Sequence, residues 1–170
     1  IEASGVKDFN KENNFEEYIP KEGDMFLAIN DALIAAQTTV LAAEDFGLGS
    51  CYIGDIMENF EIHKELFNLP KYTLPITMLC IGYPTEQQKN RTMRRRYFSK
   101  DMIVHKNSYR KPSVEEFKAM DKEIAEKDSP VFLPGCHNQA IHMYKRKITS
   151  DFMSEMNRSV KAMIDSWMED

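Results

Sequence analysis

The chain has little of what usually carries side-chain chemistry. Its 170 residues hold one tryptophan, four histidines and three cysteines. Cys51, Cys80 and Cys136 are an odd number at no metal-ligand spacing, and they read as reduced, buried thiols of a cytoplasmic protein. Cys136, His137 and His142 form a C-H-x4-H pattern, but the second clustered pair of ligands that zinc sites show is missing, so no metal is expected. Basic residues are not in excess: 22 Lys and Arg against 27 Asp and Glu give a net charge of −5, which argues against a nucleic-acid partner. No apolar run approaches a membrane span and the opening stretch does not read as a signal peptide, so no membrane association is expected. Nucleophile elbow, P-loop and Rossmann fingerprint are all missing; GLGSCYIG is not GxGxxG and does not sit between a strand and a helix. Glu44, Asp45, Glu58 and Glu61 have no second carboxylate or nucleophile at a diagnostic spacing, so no catalytic side chain is assigned.

What is present is an ordinary globular composition, 42% hydrophobic and 29% charged, in a length that suits one domain spanning residues 1–170. Ile1 to Gly23 is polar and without period, a surface connection. From Met25 to Phe46 helix formers dominate, with Asp24 as N-cap and Gly47 and Gly49 as the stop. Phe26, Ile29, Leu33, Ala36, Val40 and Ala43 recur at helical spacing and predict the buried face. The many alanines would let another helix approach closely. Gly47 to Asp55 reads as a glycine-punctuated turn where backbone could come near something flat or bulky.

Beyond it, Ile56 to Phe67 predicts a shorter helix with Phe60, Ile62, Leu66 and Phe67 in apolar contact, ended by Leu69-Pro70. Ile76 to Ile81 suits a strand buried on both faces, broken by Gly82-Tyr83-Pro84. Met102 to His105 is an edge strand or a docked extended segment. Ser113 and Glu116 form a capping box opening a helix to Lys127, apolar at Val114, Phe117, Met120 and Ile124. Asp128 to Gly135 is a proline-bounded loop. A final helix from Ser150 to Met168 places Phe152, Met153, Met156, Val160, Met163, Ile164 and Trp167 on one broad face, as core or subunit interface. Trp167 would be an odd exposure for a monomer. His63 reads as exposed and His105 as structural. Lys89, Arg91, Arg94, Arg95 and Arg96 form a basic cluster, either a solvated run or a phosphate site, since arginine forks match phosphate oxygens.

The segments LAAEDFGLGSCYIGDI and LFNLPKYTLPITMLCIGYP, followed by that basic cluster, resemble the FMN-dependent nitroreductase family. The resemblance runs from Asp24 to Tyr109 and more loosely over the last helix. It implies an α+β fold with helices around a central mixed sheet, in a homodimer whose C-terminal segments embrace the partner. It further implies that Tyr52, Ile53, Gly54 and Asp55 lie against the flavin ring of FMN. Arg94 and Arg96 would hold its phosphate, with Arg95 able to take either role in a register uncertain by one residue. NAD(P)H would be the reductant and a nitroaromatic, quinone or similar small molecule the acceptor, in ping-pong alternation. The family's first helix and two core strands have no counterpart here, so the sheet is expected to be completed by sequence preceding Ile1 or by a partner subunit. The alternative is a non-catalytic flavin-binding remnant or dimerisation module.

Overall fold

The computed structural model describes residues 12–13, 18–91, 99–128 and 130–169. The chain divides into two compact units, one from residues 1–90 with 154–170, the other from residues 91–153.

In the first unit the long helix is α1, Glu22–Asp45. Asp24 is not its N-cap: Lys21 is, and the Asp24 carboxylate reaches back to the Lys21 N–H (2.9 Å) while accepting the Tyr18 hydroxyl (2.6 Å). The inward stripe is Met25, Ala28, Ile29, Ala32, Ala36, Val40 and Ala43, whereas the predicted Phe26 and Leu33 face outward. Both registers have helical spacing; the partners of Met25 decide between them. Met25 is buried against Tyr72 and Trp167, with Ala28, Ile29 and Leu74 around them. By length and composition α1 is also apolar enough to cross a membrane, with a mean hydropathy of 1.5. No uninterrupted apolar run betrays this in the sequence, because Thr and Gln break the stretch without making it polar. A core helix of a soluble protein has the same composition.

Gly47 ends the helix in the left-handed region (φ 71°), as its position predicts, and the Leu48 N–H returns to the Ala43 carbonyl (2.9 Å). The next residues do not form the expected turn. Gly49–Ile53 is strand β1, antiparallel to β2, Met78–Gly82, with Gly49 opposite Gly82 and Ile53 opposite Met78. β2 was expected to be buried on both faces; only Leu79 in it is half-buried. Among the described residues the sheet has two strands. α1 covers one of its faces. Ala32 and Ala36 border a groove of about 400 Å³ against Leu74, Pro75, Leu79 and Ile81, so these two face an extended segment, whereas Ala28 packs beside Trp167 of the last helix.

The predicted helix from Ile56 to Phe67 is broken. A 3-10 turn, Gly54–Met57, gives way to extended Glu58 and left-handed Asn59 (φ 49°), and only then does α2, Phe60–Leu66, begin. Phe60 is buried, while Ile62, Leu66 and Phe67 are exposed. His63 is half-buried rather than exposed. Helix α3, Glu86–Lys89, is capped by Thr85, whose hydroxyl accepts the Gln88 N–H (3.2 Å).

Asn59 does not cap α2 with its side chain; the C-terminal helix supplies the partners instead. Ser159, fully buried, donates its hydroxyl to the Met57 carbonyl (2.6 Å) and accepts the Phe60 N–H (2.9 Å). Glu155 accepts the Asn59 N–H (3.1 Å). Arg158 forks onto Glu61 (2.8 and 3.0 Å) and also binds Glu155. Its hydrogen bonds hold the Glu61 carboxyl down to about 2, so that carboxylate stays ionised into strong acid. Ser159→Ala orphans a buried donor and acceptor together, and should lower stability by about 1–3 kcal/mol in urea unfolding. An unchanged midpoint would show that water replaces the hydroxyl.

In the second unit, the edge strand or extended segment expected at Met102–His105 begins instead as the end of a short helix, α4, Lys100–Ile103, and Val104 after it is extended. Helix α5, Val114–Asp128, opens with the predicted capping box: the Ser113 hydroxyl accepts the Glu116 N–H (3.2 Å) and Glu116 accepts the Ser113 N–H (2.7 Å). Arg110 grips the same carboxylate (2.8 Å) and holds it down to about 2. On its predicted face Met120 and Ile124 are half-buried, whereas Val114 and Phe117 are exposed. Helix α6, Gln139–Met143, is capped by Asn138 and runs into a wide π turn, Tyr144–Ile148.

The last helix, α7, is Asp151–Met168 and matches its predicted span within one residue. Met163 and Trp167 are buried as its apolar face requires, while Ile164 is partly exposed. Trp167 is not an exposed surface residue of the single chain. It is 2% exposed, meets Tyr72 edge-on at 5.4 Å, and donates its indole N–H to the Lys21 carbonyl (3.2 Å).

Candidate functional site

The end of β1 and the 3-10 turn after it bring Tyr52, Ile53, Gly54 and Asp55 into one continuous segment. Strand pairing holds its first half, Tyr52 opposite Leu79 and Ile53 opposite Met78. The Tyr52 hydroxyl donates to the Gln37 side-chain carbonyl (3.3 Å), tying the strand to the middle of α1. The second half is fixed by the Glu58 N–H, which donates to the Asp55 carbonyl (3.0 Å), and by the contact of Ser159 with Met57. The segment is therefore anchored at both ends.

Gly54 lies between the anchors. A Cβ built at this glycine would meet no atom within 4 Å, so its backbone borders open space. A planar ring could approach the main chain here without meeting a side chain, which is what an aromatic cofactor lying on backbone requires. Tyr52 is 41% exposed beside it. The residues present fit the ring of a flavin.

The basic cluster divides. Lys89 is engaged with Glu86 (2.6 Å) on α3, and Arg91 is exposed. Arg94 and Arg96, with Arg95 as the alternative in register, lie outside the described residues. Cys51 and Cys80 are exposed and Cys136 is half-buried, against the expectation of buried thiols. His142 accepts the Leu133 N–H at Nδ1 (3.1 Å) and serves the loop before α6. His63 and His105 each carry a buried Nδ1 without a partner; His63 stacks on Phe67 and His105 meets Tyr109 edge-on, so both are placed by aromatic contact. Sequence reasoning missed Ser159 and Gln37, which hold the segment in place. A polar residue inside an apolar helical stripe was the signal for Ser159; Gln37 gave none.

The described residues are mostly helical with a small antiparallel sheet, an α+β, nitroreductase-like fold. It aligns with nitroreductase A of Vibrio parahaemolyticus at a TM-score of 0.74 and 20% identity, over 99% of this chain and 66% of that one. Residues 5–83 match the Nitroreductase family model. Tyr52 to Asp55 fall inside the match; Arg94 and Arg96 fall beyond it. An oxygen-insensitive NADPH nitroreductase of Salmonella typhimurium is 34% identical over 102 residues, 60% of this chain and 41% of that protein. An FMN reductase (NADPH) of Bacillus subtilis is 34% identical over 87 residues, 51% of this chain and 33% of that protein. The match thus spans less than half the length of either relative.

Proposed function

We propose that the protein is an FMN-dependent NAD(P)H oxidoreductase. The observation that carries this reading is the doubly anchored segment Tyr52–Asp55, with Gly54 bordering open space, inside the residues that match the Nitroreductase family. When bound, FMN would supply the hydride chemistry; the chain supplies binding, orientation and exclusion of water. Tyr52, Ile53, Gly54 and Asp55 line the ring in this reading, and Arg94 and Arg96 bind the phosphate. NAD(P)H and a nitroaromatic, quinone or similar acceptor would use the same surface in turn, which makes the kinetics ping-pong. The names of the relatives, a nitroreductase and an FMN reductase both using NADPH, support the substrate class.

The protein would work as a homodimer in the cytoplasm. Support for the dimer comes from α1, which turns Phe26, Leu27, Ile34 and Leu41 outward, each more than half exposed. Large exposed apolar side chains repeated along one side of a helix suit an interaction surface.

The test is a visible spectrum of the purified protein, followed by NADPH or NADH without oxygen. A flavin spectrum that bleaches on adding the nicotinamide is the expected result. A protein that stays colourless after FMN is added and the excess removed would overturn the reading. It would favour an interaction module, for which the outward face of α1 is the supporting observation.

A further inference from the structure

Helix α2 and the turn before it are tied along their length to α7. The Ser159 hydroxyl sits between the Met57 carbonyl and the Phe60 N–H, and Glu155 accepts the Asn59 N–H. Arg158 bridges Glu61 and Glu155, and the Lys64 ammonium donates to the Ser166 hydroxyl (2.8 Å). Ser159 is fully buried, so water does not compete for its two bonds.

The turn cannot hold itself. Gly54–Met57 is one short 3-10 segment, closed by the Glu58 N–H on the Asp55 carbonyl. A single turn fixes several dihedrals for one hydrogen bond and is unstable alone in water. Asn59 is left-handed without being glycine, and its side chain makes no cap bond to α2. Strand pairing with β2 ends at Ile53. The placement of Gly54 and Asp55 is therefore set from two sides, by the sheet before them and by α7 after them. Asp55 stands two residues from Met57, whose carbonyl Ser159 holds. Slack at Met57 passes directly into the main chain that would lie on the flavin.

We propose that Ser159, together with Glu155 held by Arg158, is a positioning residue of the flavin reaction, fixing from α7 where the Gly54–Asp55 main chain stands. The inference rests on the FMN reading given above. Both residues act through the backbone of the turn and not by touching the cofactor. A segment already ordered costs FMN little to arrange on binding, and one that has lost its α7 bonds must be ordered by the ligand. A misplacement of about 1 Å caused by a remote substitution can cost roughly 10²-fold in rate. Loss of the α7 bonds should therefore weaken FMN binding and slow reduction by bound NADPH, with little effect on NADPH binding itself.

The experiment compares the full chain with Ser159→Ala, Glu155→Ala, Glu155→Gln and Trp167→Phe. Hydrogen exchange is read first, without flavin. The Phe60 amide should lose protection in Ser159→Ala and the Asn59 amide in Glu155→Ala, while the paired amides of β1 keep theirs. FMN titration should show Kd raised about 2- to 12-fold in each alanine variant, the worth of one hydrogen bond. Anaerobic bleaching of bound FMN by NADPH should show a limiting rate lowered by roughly tenfold to a hundredfold. The NADPH concentration giving half that rate should stay near the parent's. Glu155→Gln keeps the acceptor for Asn59 and should restore both Kd and rate. Trp167→Phe loses stability where α7 packs on Tyr72 and Met25, away from the turn, and should match the parent in both. Should Ser159→Ala fail to fold, the two variants of half-buried Glu155 carry the same test. Alanine variants equal to a parent that binds FMN overturn this inference alone. So does a Trp167→Phe that reproduces their Kd and rate, since the role is then only structural. A parent that binds no FMN overturns the flavin reading, and this inference with it.

Discussion

Trp167→Ala should lower the unfolding free energy by about 3–5 kcal/mol, the usual cost of removing a large aromatic side chain from a core. Three losses combine. The indole is 2% exposed, so its apolar surface returns nothing to solvent in the folded state. Its ring meets Tyr72 edge-on, and Tyr72 and Met25 would be left lining the vacated volume beside Ala28, Ile29 and Leu74. The indole N–H bond to the Lys21 carbonyl disappears, although that carbonyl keeps the Met25 N–H as a partner (3.1 Å). The cost is therefore mostly cavity and packing, and Trp167→Phe should recover a large part of it. Against a total stability of about 5–15 kcal/mol for a typical domain, the alanine variant loses a large fraction. Urea midpoints followed by circular dichroism measure both variants. A midpoint for Trp167→Ala equal to the parent's would mean that Trp167 does not close the core of this unit.

Arg94→Ala and Arg96→Ala should each weaken FMN binding by about 1.5–3 kcal/mol, the worth of one charge-assisted hydrogen bond. That is roughly a 10- to 150-fold rise in Kd. The reasoning is chemical: a phosphate needs several converging donors, and a guanidinium offers them in a planar fork that an ammonium does not. Lys89 is the internal control, because its ammonium is already paired with Glu86. Lys89→Ala should leave FMN affinity near the parent's. Fluorescence titration of FMN reads all three variants. If neither arginine variant differs from the parent, the phosphate role is wrong. If only one does, testing Arg95→Ala resolves the one-residue uncertainty in register.

Much of the helical architecture was legible because it is written locally. α1 and α7 carry apolar residues at helical spacing over many turns, and their ends came out within a few residues. Ser113 and Glu116 cap each other as their spacing demanded. What failed depends on distant partners. Met25 and Phe26 are equally apolar, and nothing near them in sequence tells which one turns toward Trp167. β1 looked like a turn because Gly-Ser-Cys is poor strand material; its partner strand makes it a strand. Met102 and Ile103 are strand-like residues with no strand beside them among the described residues, and they close a short helix instead. In the candidate site the glycine segment was legible from its residues and its family pattern. Its anchors were not, since Gln37 and Ser159 show their roles only once α1 and α7 are in place.

The partners of the turn at Gly54–Asn59 have a consequence for synthesis. Met57, Asn59 and Phe60 satisfy their backbone groups with Ser159 and Glu155, separated from them by 96 to 102 positions. Lys21 and Trp167 are 146 positions apart. Contacts between residues so remote require closure of a long loop before they contribute anything, and such closures come late. On the ribosome, the residues that would face a flavin emerge well ahead of α7, yet their geometry waits for that helix. A nascent chain stalled before α7 would carry that whole segment and be unable to hold its shape.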